Sequence, residues 1–511
     1  MKFYHKQLQI LLLSALLIFG SSCKKFLEEE DPSNLSPDTY YTLPEHAETA
    51  IAAAYARTRF IGEGAGIFVA NFSMLEVVTG TARTETGQNS DLNNLIGLQY
   101  NGDNLLVRNW WIGLYSVIAQ CNLVLDKVPA ITPMDEIRKA QVLGEARFLR
   151  AWAYFYLVRL YGDVPLISTT QTTESENFLP SRAPSEEVYN LIVADLTQAE
   201  EAGLPWKDAS GRVSMGAVKS LLSKVYLTMA GQPLNKGASH YVLARDKALD
   251  VINNGGFRLF DSYMDLHSLT TENREEHIFE IQYLATVAGN PMQQLLLPNF
   301  KDVSAYSDEI GTTVPTRQFY ESYEEGDLRA KDREGFFYTS YYDGGNGPLK
   351  QLNAPYIYKH FDIVANGTLG VEGTTQSDLN WPQIRYADVL LVYAEAQNRA
   401  DGSPNAGAYA AVNAIRERAE LAPLAGLSQT AFEEAIWRER WHELCYEGIT
   451  WFDMVRLRKV YNEATNRFDD FAGHAFPDNP TIKLSEKNLL FPLPTTEIRN
   501  NPNLTPQNPG Y

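Results

Sequence analysis

The chain has 511 residues, 44% hydrophobic and 21% charged, which is ordinary globular composition for one large or two to three smaller domains. A formal net charge of −19 repels phosphate backbones and anionic membranes, so nucleic acid is excluded as a partner and membrane attachment needs a device other than a basic patch. Three cysteines make neither a disulfide framework nor a zinc cluster.

The N-terminus supplies the attachment device. Lys2 and Lys6 precede an eleven-residue apolar run, Ile10 to Gly20. Such a run is too short to cross ~30 Å of hydrocarbon as a helix, so residues 1–22 read as a signal peptide. Gly20, Ser21 and Ser22 lead into Cys23 in the manner of a bacterial lipobox, although Gly20 stands where Leu is usual. Cys23 is therefore expected to carry a diacylglyceryl group and to begin the mature chain; ordinary secretion with a chance cysteine is the alternative. The acidic run Glu28-Glu29-Glu30-Asp31 follows closely. Cys121 and Cys445 lie in apolar, helical contexts and are expected as two buried free thiols, with a disulfide between them as the second reading.

From about residue 40 to 255 the spacing predicts helices. In 139–161 the positions Val142, Ala146, Leu149, Ala153, Tyr156 and Leu160 line one face of a 3.6-residue period, and Gly162 and Pro165 end it. Ser185 reads as the N-cap of a helix over 185–203, and a further helix is predicted over 214–231. Residues 256–380 differ, holding ten of the 28 tyrosines, many Gly, Asn and Asp, and little helical period. HIFEIQYL (277–284) reads as a short strand, and the tyrosines favour ordered, functional loops. Helices return over 381–400, over 403–420 with Ser403–Pro404 as its start, and from Thr430, which with Glu433 has capping-box spacing. The scaffold thus spans about 40–255 and 381–460, with a loop-rich insert between and a tail over 461–511. Paired helices with small-residue crossings at Ala394, Ala396, Ala408 and Ala411 imply a mainly α, tetratricopeptide-like array in a single domain, 23–511.

Catalytic signatures are scarce. HELCY (442–446) lacks the second histidine of a zinc helix, GEGAG (62–66) lacks the context of a dinucleotide loop, and neither GxSxG nor a phosphate-binding loop occurs. No catalytic residue, metal or cofactor is expected. Aromatic rings beside polar side chains suit sugars, whose C–H faces stack while their hydroxyls take hydrogen bonds. Candidates are Arg83, Tyr100 and Asn101 in YNGDN, Trp110, Tyr341, Tyr342 and Trp381. Trp111, at helical spacing from Leu114 and Tyr115, is assigned to the core, whereas Trp110 projects about 100° away and is expected nearer the surface.

The motifs GEARFLRAWAYFYLVRLYGDVPL, IRYADVLLVYAEAQNRA, AVNAIRERAEL, RERWHELCYEGITWFDMVRLR and the closing LLFPLPTTEIRNNPNLTPQNPGY resemble the SusD/RagB family of Bacteroidetes outer-membrane lipoproteins, in order and over nearly the whole chain. Thr450 departs from the pattern, standing where a basic residue usually precedes WFD; it reads as a polar surface position. The resemblance implies a lipid-anchored protein on the outer face of the outer membrane, a lid over a SusC-like TonB-dependent transporter that captures glycans. Peptide capture is the alternative it leaves, and a glycosidase a distant third. It also implies that the acidic run beside Cys23 is a surface-export signal.

Overall fold

In the computed structural model, which describes residues 40–64, 69–297, 311–342, 348–362 and 377–511, the chain is mainly helical with short strands. Residues 1–22, Cys23 and the acidic run lie outside the described residues.

Helix α1 (Pro44–Thr58) packs on α2 (Leu105–Lys127) and α3 (Glu136–Tyr161). Next, α3 packs on α4 (Ser185–Glu200), α4 on α5 (Met215–Ala230) and α5 on α6 (Ala238–Asn254). Neighbours in sequence are neighbours in space, as in an array of helical hairpins. The stripe read from 139–161 is the buried face of α3: Val142, Ala146, Leu149, Ala153 and Leu160 are fully buried. Asp135 caps its start, accepting the Arg138 N–H at 2.7 Å, and Gly162, at φ 73°, closes its end in a conformation that favours glycine.

The insert leaves the array after α6 and returns at α7 (Tyr386–Asp401), which packs directly on α6. The array then continues through α8 (Ala406–Arg418) and α9 (Gln429–Glu443) to α10 (Thr450–Leu457). Several expected boundaries move. The residues WPQIR (381–385) are a strand rather than the first turn of α7, because they pair antiparallel with the strand HIFEI (277–281). Asn405 and Ser428, not Ser403 and Thr430, cap α8 and α9, each accepting the N–H three residues on. Ser185 begins α4 without capping it; both its N–H and its hydroxyl donate to Asp163 at 2.7 Å. Thr450 is buried rather than on the surface.

Cys121 and Cys445 are buried free thiols, with burial pushing Cys445 up to about 11. Inside the insert a second small core forms from Leu297, Val314, Tyr338, Ala354, Tyr356, Tyr358 and Phe361. A buried charge network fastens insert to array. Arg329 pairs with Asp327 at 2.7 Å and Glu439 at 2.6 Å; Arg385 pairs with Glu447 at 2.6 Å and also meets Glu276. Arg418 joins Glu443 at 2.7 Å, and Lys359 meets Glu447. The paired cations hold the Glu447 carboxyl well below its usual range although burial opposes them.

Candidate ligand-binding face

Four strands of the insert and its neighbour build the face. In chain order these are β1 (Ala82–Arg83), β3 (Val314–Pro315), β4 (Phe337–Tyr342) and β5 (Leu349–Ile357), β1 pairing with β3 and β4 with β5, while β2 (His277–Ile281) and β6 (Trp381–Arg385) form a separate pair. The inner half of β5 (Ala354–Ile357) is buried on the small core, so its outer half is left projecting. There Leu349, Lys350, Gln351 and Asn353 are exposed.

Arg83 lies opposite Val314 in the β1–β3 ladder, its side chain one-third exposed (33%) and paired with Glu85 at 3.1 Å. The Tyr356 hydroxyl donates to the same Glu85 carboxylate at 2.9 and 3.0 Å, so β5 and β1 are tied through one acid. Burial and that carboxylate hold the Tyr356 phenol in its protonated form. Arg317, also exposed, donates to the Asn353 carbonyl at 2.8 Å. Along β5 the exposed strand thus carries amide groups and an exposed leucine, with guanidinium groups tied to it at Asn353 and through Glu85 at Tyr356, the combination of hydrogen-bond donors, acceptors and apolar surface that a sugar needs.

The residues expected from sequence divide sharply. Arg83 belongs to this face. Tyr341 and Tyr342 are on β4, opposite Lys350 and Leu349, while DGGNG (343–347) lies outside the described residues. Asn101 is exposed, but its turn rests on the C-terminal tail, where Thr495 N–H donates to the Gly102 carbonyl at 2.8 Å. Tyr100 is buried, stacked on Phe491 with centroids 5.2 Å apart.

Trp110 and Trp381 are corrections. Trp110 is 1% exposed, donates its indole N–H to the Asn71 carbonyl at 2.8 Å, and meets Phe60 and Tyr156. The 100° offset from Trp111 does not reach solvent because α2 is covered on more than one side, by α1 and by α3. Trp381 is 3% exposed between Phe72 and His360. Neither ring has a face to offer. Trp111 is buried as expected. The residues missed by sequence reasoning, Gln351, Asn353, Arg317 and Glu85, carry no motif; the strand β5 shows no clean alternation that would flag them.

His442 is buried, hydrogen-bonded to Ser322 Oγ at 2.9 Å and pushed well below the usual histidine range by burial. Among the described residues no group of three or more His, Cys, Asp or Glu side chains is placed to hold a metal.

Residues 331–511 match a family model described as the SusD family, and residues 25–227 match one described as starch-binding, associating with the outer membrane. The crystal structure of a SusD superfamily protein from Parabacteroides distasonis is 39% identical, covers 94% of this chain and 100% of its own, and superposes with a TM-score of 0.86. The chain belongs to the SusD family. Among other SusD relatives, SusD-like protein P2 of Formosa agariphila is 28% identical over 95% of this chain and 96% of its own length. A laminarin-binding SusD-like protein is 25% identical, covering 92% of this chain and 100% of its own with a TM-score of 0.73. The mainly helical fold expected from the motifs is therefore that of the SusD superfamily.

Proposed function

We propose that this SusD-family protein is a non-catalytic glycan-binding lipoprotein of the outer membrane, anchored through Cys23 and serving as a lid for a SusC-like TonB-dependent transporter. The observation that carries the glycan reading is the exposed run of β5, Leu349, Lys350, Gln351 and Asn353, with the half-buried Arg83 tied to the same strand through Glu85 and Tyr356, on a fold shared with a relative named for binding laminarin. The family description, association with the outer membrane, supports the location. Among the described residues no helix is long and apolar enough to cross a membrane, and the lipobox offers the attachment. Tyr341, Tyr342 and Asn101 remain proposed contacts; Tyr100, Trp110 and Trp381 act as core.

Titration of the purified protein against a panel of neutral oligosaccharides tests the reading. At least one glycan should bind saturably, and Arg83→Ala combined with Asn353→Ala should weaken it by roughly fivefold to tenfold, about the worth of one or two neutral hydrogen bonds. Binding to oligopeptides and to no glycan would replace this reading with a peptide lid. Cleavage of the bound glycan over hours would overturn the non-catalytic part.

A further inference from the structure

A cleft of about 760 Å³ opens between the C-terminal ends of α3 and α10, the start of α4 and the closing tail, well separated in sequence from β1 and β5. Its walls are mostly apolar, with Tyr189, Phe452, Val455 and Leu490 prominent, and its size falls within the ~300–1,000 Å³ typical of small-molecule sites.

Four arginines line it, and three of them, Arg159, Arg182 and Arg458, differ from the buried, ion-paired arginines of this chain. Arg150, Arg329, Arg385, Arg440 and Arg456 are each matched to carboxylates at 3 Å or less. Arg159, Arg182 and Arg458 form no ion pair among the described residues. Arg182 donates only to the Asp163, Tyr161 and Pro506 carbonyls and to the Asn508 side chain. Arg458 donates to the Val455 carbonyl. Burial lowers all three from the usual arginine value, Arg159 to about 10.

Arg159 is the most telling. Its guanidinium is clamped between two rings, 3.6 Å from the Phe155 centroid and 3.7 Å from that of Phe452. Nε donates to the Phe155 carbonyl at 2.8 Å, while neither Nη atom has a partner among the described residues. Rings on both faces leave only the in-plane edge for a ligand, and that edge is the fork that a carboxylate fits with two parallel bonds. The acids on the same walls do not fill it: Asp163 is engaged by Ser185, and Glu486 forms no ion pair with Arg159 among the described residues. Lys487 sits over the Tyr511 ring, and Arg456 is held by Glu395 and Asp453.

We propose that this cleft binds a small organic carboxylate with an aromatic or aliphatic body, held by the open edge of Arg159 and supported by Arg458. The apolar walls favour such a ligand over inorganic phosphate, whose four oxygens would find too few donors. The ligand differs in charge from the neutral glycan proposed for the β5 face, and the site stands whether or not that face binds sugar.

Isothermal titration of the mature protein with phenylacetate, its neutral isostere phenylacetamide, and inorganic phosphate tests the proposal. Phenylacetate should bind saturably, at least tenfold more tightly than the other two. Arg159→Gln should weaken phenylacetate about tenfold or more, as expected for loss of a charge-assisted bond. Arg458→Asn, which suits the left-handed backbone at that position (φ 55°), should weaken it severalfold and gives the same reading if the first variant does not fold. Equal binding of the amide, or unchanged affinity in a folded variant, would overturn the proposal. Phosphate binding as tightly as phenylacetate would overturn it too, making the cleft a general anion site.

Discussion

Replacing Glu280 by Gln should stabilise the protein by an amount that grows as the pH rises. Glu280 is on β2, 3% exposed, with Oε2 accepting the Asn273 N–H at 2.5 Å. Burial is the dominant influence and pushes its carboxyl up to about 8, against the Asn273 bond, which lowers it. The folded chain therefore keeps a proton that the unfolded chain releases near 4.5. The resulting stability is complete below 4.5 and is lost as the pH climbs through about 8. At about 1.4 kcal/mol per pH unit, the loss over that interval reaches at most about 5 kcal/mol. Gln does not titrate and keeps the acceptor for Asn273. Its amide can also donate towards His277 Nδ1, which lies 3.6 Å from Glu280 Oε1 and has no hydrogen-bond partner among the described residues. His277 is held neutral by burial down to about 3, so it stays an acceptor throughout the range. The variant should match the wild type near pH 5 and exceed it by about 3–5 kcal/mol at pH 8.5. Urea unfolding of both proteins at pH 5, 6.5 and 8.5 measures the difference, compared as midpoints because a chain of this length need not unfold in two states. A difference that is flat with pH, or that shrinks as pH rises, would refute the reasoning.

Trp110→Ala should destabilise the fold by about 3–5 kcal/mol in thermal or chemical unfolding, yet leave the glycan affinity of the folded protein unchanged, because the ring packs inside the helical array. Arg385→Met should cost about 3–5 kcal/mol in the same assay by removing one of the two cations of each buried acid, leaving Glu276 to Arg418 and Glu447 to Lys359; a change under 1 kcal/mol would mean that the network tolerates the loss. Cys23→Ala should move the protein from the membrane to the soluble fraction on cell fractionation, since durable attachment takes more than one acyl chain and both anchors enter through that thiol. Persistence in the membrane fraction would show that docking to another protein holds it there.

The helices were legible because each is an amphipathic stripe: the spacing of Val142, Ala146, Leu149 and Ala153 dictates which face is buried whatever it is buried against. Helix starts were less legible. Asn405 and Ser428 compete locally with Ser403 and Thr430, and which side chain reaches the free N–H depends on how the preceding loop enters. The strand 381–385 could not be told from a helix start by its own pattern, since its partner lies about a hundred residues upstream on β2.

The sequence by itself determined the helical array, the two buried thiols and the family, because these rest on short-range periodicity and on long ordered motifs. It also placed Arg83 among polar candidates. Only the tertiary structure decided which aromatic rings are free. Exposure belongs to everything packed around a residue, so Trp110 and Trp381, prominent in the sequence, are core, while Gln351 and Asn353, unmarked in it, stand in solvent. The same holds for the arginines. The sequence shows Arg159, Arg385 and Arg456 as equivalent charges, and only the fold gives two of them carboxylates and leaves the third, clamped between two rings, facing a cleft.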